Sequence, residues 1–261
     1  MRVAVISDEI APGLDDALRF CSAEGITAVE LRDVDGVRVT ELDPPALRRV
    51  RAALQGGGFE CPAVDTAFLK RPPLERVDWG SLTRAIDVAQ VLGARLVRVF
   101  SGLRGCPVPA PGWLEETLAR AVSQAAGSGV DVALEIEHDC AVGTRAEAAG
   151  ALVDGLGLVW DPGNEARCLG ARPDARGHAA VAHAIRHVHV KDTVAAGEWV
   201  APGAGLVDWE GELLRLAAHG YDGDLALETH HALPVGGQEA ATRESLRALR
   251  AIAARAGVTL T

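Results

Sequence analysis

Short apolar runs alternate along this chain with longer stretches whose apolar residues recur at the spacing of one helix face. The runs lie at 3–7, 27–31, 59–64, 95–100, 132–135, 157–160, 186–190 and 224–227. Each predicts a short strand. Both faces of such a strand must be covered, because few of these runs show a polar residue at every second position. The intervening stretches predict helices over 12–24, 43–55, 79–92, 113–126, 145–153, 174–184, 208–220 and 239–256. Asp43 before Pro44-Pro45 marks one helix start, and Gly25, Gly93 and Gly220 mark helix ends. The segment around Gly163-Asn164-Glu165 reads as a loop, as does the long stretch 191–205. Strict alternation of strand and helix implies a parallel sheet with crossover helices. Eight such units in 261 residues predict an α/β fold, a single closed (β/α)8 TIM barrel spanning 1–261, with no linker or composition shift to mark a second domain.

Polar chemistry gathers where the last four strands stop. Glu135 ends the fifth run, Asp161 follows the sixth, His189 lies near the end of the seventh and Glu228 follows the eighth. Chemistry in such barrels sits at the carboxyl ends of the strands. Three carboxylates and one imidazole form a hard oxygen and nitrogen set suited to one divalent ion, Mn, Mg, Co or Zn. Gathered at one mouth, uncompensated acids are costly unless a cation neutralises them. Glu137 shares a strand face with Glu135, so a swap of ligand roles between the two stays open. His187 shares a face with His189 and reads as structural. His230 and His231 read as loop histidines at the mouth, with His230 a candidate substrate contact, whereas His138, His178, His183 and His219 read as ordinary helix or loop residues.

Composition narrows the function classes. The formal net charge is −10, which argues against a nucleic-acid partner, since phosphate contacts need a basic face. No run is long enough to cross a membrane, and the N-terminus lacks the apolar core of a secretory signal, so a cytoplasmic protein without a membrane partner is expected. Five widely spaced cysteines, with no CxxC, predict reduced thiols. Only two lysines occur, Lys70 and Lys191, against many arginines. A lysine kept in such a chain suggests a compact charge that arginine cannot replace.

The segments ALEIEHD, WDPGNE, HVHVKD, GAGLVDW and GYDGDLALETHH, in that order, together with the N-terminal VISDEI and AVELRD, resemble the sugar phosphate isomerase/epimerase family of the xylose isomerase-like TIM barrel superfamily. The likeness covers essentially the whole chain. It implies that Glu135, Asp161, His189 and Glu228 hold the divalent ion. It also implies that Glu135 and Glu228 are the catalytic pair, exchanging a proton with a hydroxycarbonyl substrate through an enediolate. Ketose 3-epimerases carry a His where this chain has Asn164 and an Arg where it has Ala195. Asn164 can bond a hydroxyl but cannot shuttle a proton. Lys191, with Arg32 or Lys70, could supply positive charge for an anionic or polyol substrate, and Glu137 is a further loop contact. The resemblance thus implies a metal-dependent isomerase or epimerase acting on a small carbohydrate-like molecule, and a homodimer. A lyase or dehydratase on a keto-inositol or 3-keto-glycoside would use the same residues. A phosphodiesterase like the apurinic endonucleases fits this acidic chain least.

Overall fold

A computed structural model describes residues 1–261. Eight parallel strands form the barrel: β1 (Arg2–Ile6), β2 (Ala28–Glu30), β3 (Ala63–Asp65), β4 (Leu96–Val99), β5 (Asp131–Glu135), β6 (Gly157–Trp160), β7 (Ile185–Val190) and β8 (Asp224–Leu227). They pair in the order β2-β1-β8-β7-β6-β5-β4-β3. Parallel bridges from Ala28 to Glu60 and from Leu31 to Val64 join the two remaining edges and close the ring. Closure leaves no sheet edge open. Around the ring lie α1 (Leu14–Glu24), α2 (Pro44–Gly57), α3 (Trp79–Leu92), α4 (Trp113–Ala125), α5 (Arg145–Ala151), α6 (Pro162–Leu169), α7 (His178–Ala182), α8 (Trp209–Ala218) and α9 (Gly237–Ala256). The TIM barrel expected from the alternation is the fold observed.

Strand parity sorts the side chains. Val5, Val29, Val64, Val97, Leu134, Leu158, Val188 and Leu227 belong to a 62-residue core between strands and helices. Alternate positions turn into the barrel. There the apolar filling is sparse: Ala4, Ala28 and Ala226 form one small cluster, and Ala63, Leu96, Ala133 and Val159 another. Two residues further along the same face come Glu30, Asp65, Arg98, Glu135, Asp161 and Glu228, all buried. The barrel interior is therefore small and apolar low down and ionic towards its carboxyl end.

Several expected elements change, and the third strand, expected over 59–64, covers only Ala63–Asp65. Residues 162–169 form a helix, not a loop, because Asp161 caps it, accepting the Asn164 N–H at 2.8 Å, and Pro162 fits its first turn. The helix expected over 174–184 shrinks to α7, since Gly177 takes a positive φ of 87° and blocks an earlier start. The long stretch after β7 folds as a small hairpin, Asp192–Thr193 against Trp199–Val200. The Asp192 carboxylate anchors it by accepting N–H bonds from Thr193, Gly203, Gly205 and Val207 at 2.9–3.1 Å. The five cysteines are free. No helix is long and apolar enough to cross a membrane.

Candidate metal centre

The ends of β5, β6, β7 and β8 bring Glu135, Asp161, His189 and Glu228 together. Each offers one donor atom, and the four atoms lie within 4.8 Å of one another. His189 Nδ1 is 3.2 Å from Glu135 Oε1, 3.2 Å from Glu228 Oε2 and 3.9 Å from Asp161 Oδ2. An ion with bonds of about 2.0–2.2 Å holds neighbouring donors roughly 3.0–3.6 Å apart, and the distances from His189 to Glu135 and Glu228 fall in that range.

The chain's own cations also reach these acids, so the negative mouth expected from sequence is partly compensated. Lys191 Nζ lies 2.9 Å from Asp161 Oδ2 and 2.6 Å from Glu228 Oε2. Arg98 Nη1 lies 3.1 Å from Glu135 Oε2, while its Nε donates to Asp65 at 2.9 Å. Arg32 donates to Glu228 Oε1 at 3.0 Å and also holds Asp8 and Glu9. Burial opposes the charge on Glu228, but Lys191, His230 and His189 hold its carboxyl well below the usual range. Asp161 goes the other way. Burial, with Glu228 and Glu135 crowding it, raises its carboxyl to about 6 despite Lys191. Burial is thus the main reason the Asp161 carboxyl rises, with its two acidic neighbours adding to it.

The remaining residues singled out in the sequence divide into layers. Asn164 is fully buried: its Nδ2 faces Asp161 Oδ2 at 3.0 Å, Glu135 Oε1 at 3.3 Å and the Ile136 carbonyl at 3.1 Å. Its amide therefore orients two of the acids. Of the two glutamates on one strand face, Glu135 reaches the four-atom cluster and Glu137 does not. Glu137 accepts from Lys70 at 2.7 Å and lies 2.6 Å from His138 Nδ1. Burial opposes its charge, but His138, Lys191 and Lys70 keep it well below the ordinary carboxylate range. His230 stands between Glu9 at 3.0 Å and Glu228 at 3.1 Å, about a third exposed.

Four residues escape the sequence reading. His138, taken there as ordinary, bonds Asn164 Oδ1 at 3.0 Å and sits at the mouth. Trp199 in the hairpin lies over the same opening, with its ring centroid 5.4 Å from that of His230, 5.9 Å from that of His138 and 5.0 Å from Lys191 Nζ. Arg98 and Asp65 form an ion pair inside the barrel, with burial raising the Asp65 carboxyl to about 7 even against Arg98. A buried charge in the run Leu96-Val97-Arg98-Val99 is the signal that could have found them. His187 Nε2 lies 2.6 Å from Glu30 Oε2 deep in the barrel, and Glu30, His187 and His189 also form a compact group of possible ligands.

Lys191 is 1% exposed and packed against α6 so closely that a Cβ added at Gly163 would meet its Cγ at 2.7 Å and its carbonyl oxygen at 2.8 Å. A longer, planar guanidinium would have to fit beside Asp161 and Glu228, which already lie 2.9 and 2.6 Å from the ammonium. Lys191→Arg is expected to destabilise the protein by about 1–3 kcal/mol through overpacking. Urea denaturation checks it, and an unchanged midpoint would show the pocket to be loose.

The model of the xylose isomerase-like TIM barrel family matches residues 18–252. No curated protein matches the sequence. Among solved structures, an IolI protein with a bound zinc atom superposes with a TM-score of 0.79 at 18% identity, covering 98% of this chain and 99% of that one. A D-tagatose 3-epimerase-like protein gives 0.78 at 19% identity, covering 98% of each chain. The probable 3-DHS dehydratase AsbF of Bacillus anthracis gives 0.75 at 15% identity, covering 97% of this chain and 98% of that one. At such identities these likenesses concern the fold, whereas the family match runs through nearly all of the ring, and the chain belongs to the xylose isomerase-like TIM barrel family.

Proposed function

We propose that this protein is a divalent-metal-dependent isomerase or epimerase of a small polyhydroxylated carbonyl compound. The convergence of Glu135, Asp161, His189 and Glu228 at the carboxyl end of the barrel carries the reading. These four would hold the ion. When bound, it supplies a Lewis acid that polarises a substrate carbonyl and its neighbouring hydroxyl. Glu135 and Glu228 are then the bases: one takes the carbon-bound proton and the other returns a proton, to the opposite face of the same carbon or to its neighbour. Asn164 fixes the Glu135 and Asp161 oxygens, and Arg98 fixes the other Glu135 oxygen. Trp199 stands at the same opening, its ring 5.0 Å from Lys191 Nζ.

Charge favours a neutral substrate. Arg32, Lys70, Lys191 and His230 all stand at the mouth, yet each already faces a carboxylate within 3.1 Å. A phosphate or carboxylate would have to displace one of those acids, so a sugar or polyol-derived ketone suits the opening better than a sugar phosphate.

Elimination of water from a keto-inositol or similar compound is the second reading. It is favoured by His230, whose basicity burial lowers but Glu228 and Glu9 raise, to about 9. Standing at the opening between Glu9 and Glu228, at 3.0 and 3.1 Å, it is placed to serve as a general acid for a departing hydroxyl. A neighbour described as a probable dehydratase shares the fold.

The test combines metal analysis with solvent exchange. The purified protein is expected to hold one divalent ion per chain. With manganese or cobalt restored after chelation, it is expected to wash deuterium from solvent into one carbon of at least one member of a panel of ketohexoses, ketopentoses and keto-inositols. Exchange with recovery of starting material or its isomer supports the first reading, and loss of water supports the second. A protein that binds no ion and catalyses no exchange would overturn both.

A further inference from the structure

His189 has two ring nitrogens and uses both. Nδ1 faces the three carboxylates, and Nε2 turns into the barrel, 3.1 Å from Glu30 Oε1. Glu30 sits on β2, three strands round the ring from β7 in the order β2-β1-β8-β7. Its side chain therefore reaches across the interior, through space left by the small Ala4, Ala28 and Ala226. Its other oxygen, Oε2, lies 2.6 Å from His187 Nε2. Glu30 and His189 are both fully buried, and the two imidazoles stand at 87° to one another with centroids 5.5 Å apart. One carboxylate thus grips two rings from the same strand.

We infer that Glu30 is the positioning residue for the proposed metal centre: it holds the proton of His189 on Nε2, and so leaves the Nδ1 lone pair facing Glu135, Asp161 and Glu228. The inference rests on the metal reading of the site and adds to it. An imidazole that donates its Nδ1 lone pair to a cation must carry its proton on Nε2. A buried N–H with no acceptor costs about 1–3 kcal/mol, so a ring without Glu30 would turn or change tautomer. A carboxylate behind a ligating imidazole also raises its basicity. His187 completes the arrangement by donating to the second Glu30 oxygen, which keeps the carboxylate from rotating away. Glu30 touches neither substrate nor reacting atoms, and its whole effect passes through His189.

Cobalt(II) titration of the chelator-stripped protein reads this directly. Binding is followed by visible absorption and by competition with a zinc indicator, and thermal unfolding of the metal-free proteins is followed in parallel. Glu30→Gln is expected to weaken cobalt and zinc binding by about 10–100-fold and to alter the cobalt spectrum, because the geometry at His189 changes. Glu30→Asp, which keeps the charge on a shorter arm, is expected to recover part of the affinity. It also carries the test if the glutamine variant fails to fold. Wild-type affinity and spectrum in a folded Glu30→Gln or Glu30→Asp variant, beside a wild type that binds, overturns the inference alone. A wild-type chain that takes up no cobalt overturns the metal reading and this inference with it.

Discussion

Glu228→Gln is expected to lower solvent-exchange turnover by about 10²–10⁴-fold, the usual worth of a positioned base. An amide keeps the shape of the carboxylate and removes both its charge and its ability to take a proton. The surroundings sharpen the effect. Glu228 Oε2 sits 2.6 Å from Lys191 Nζ and 3.2 Å from His189 Nδ1, while Oε1 sits 3.0 Å from Arg32 and 3.1 Å from His230. The amide would present its N–H groups to cations on one side. Loss of cobalt affinity should therefore accompany the loss of turnover, with a smaller loss of stability, about 1–3 kcal/mol. Glu137→Gln is the control. Its carboxylate lies outside the four-atom cluster and answers to Lys70 and His138, so cobalt binding should change less than tenfold. Exchange at the wild-type rate in Glu228→Gln would remove Glu228 from the chemistry. Greater metal loss in Glu137→Gln than in Glu135→Gln would reverse the roles given to the two glutamates.

The ring and the four strand-end residues are legible in the sequence for one reason: a parallel strand covered on both faces is a short apolar run, and the residue at which it stops is easily seen. Asp161 after Leu158-Val159-Trp160 and Glu228 after Leu225-Ala226-Leu227 are both found this way. What that reasoning misses is parity. Treating each run as uniformly apolar hides Arg98, which stands inside its strand, and gives no reason to connect Glu30 with His189 across the barrel. Counting back by two from each strand end would have placed Ala226, Ala133 and Val159 inward beneath Glu228, Glu135 and Asp161, and Arg98 beside them. The helix at 162–169 was hidden differently. The segment Gly163-Asn164-Glu165 reads as a loop, whereas in place Pro162 opens the helix and Gly163 allows its close approach to Lys191. His138 and Trp199 could not be read at all, since only the folded loops bring them to one opening.

Outside the barrel, the largest stability loss is expected at Arg145. This guanidinium is 3% exposed and lies 2.8 Å from Glu165 and 3.2 Å from Glu212, both buried, and 4.5 Å over the ring of Trp160. Glu165 also accepts the Arg145 backbone N–H at 2.9 Å, so the start of α5 is fastened to α6 twice. Arg145→Met keeps much of the volume and deletes the charge. It leaves Glu165 buried without a counter-ion and Glu212 with only Arg215, at 2.8 Å. Breaking a buried pair from one side costs about 3–5 kcal/mol, more than the pair itself contributes, because the cost is the stranded charge. Joining Arg145→Met to Glu165→Leu removes that stranded charge and should return most of the loss, although Trp160 still loses its stacked partner. Urea denaturation of the two single variants and the double variant separates these contributions. The prediction is non-additive: the double variant should be more stable than Arg145→Met alone. Simple addition of the two single losses would mean that the contact with Trp160, not the ion pair, holds α5 in place. The result also bears on the metal centre, because Glu165 adjoins Asn164, whose amide fixes Asp161 and Glu135. If Arg145 acts on stability alone, the folded fraction of Arg145→Met should bind cobalt as tightly as wild type. A weakened affinity would extend the set of groups holding those two acids out to α5.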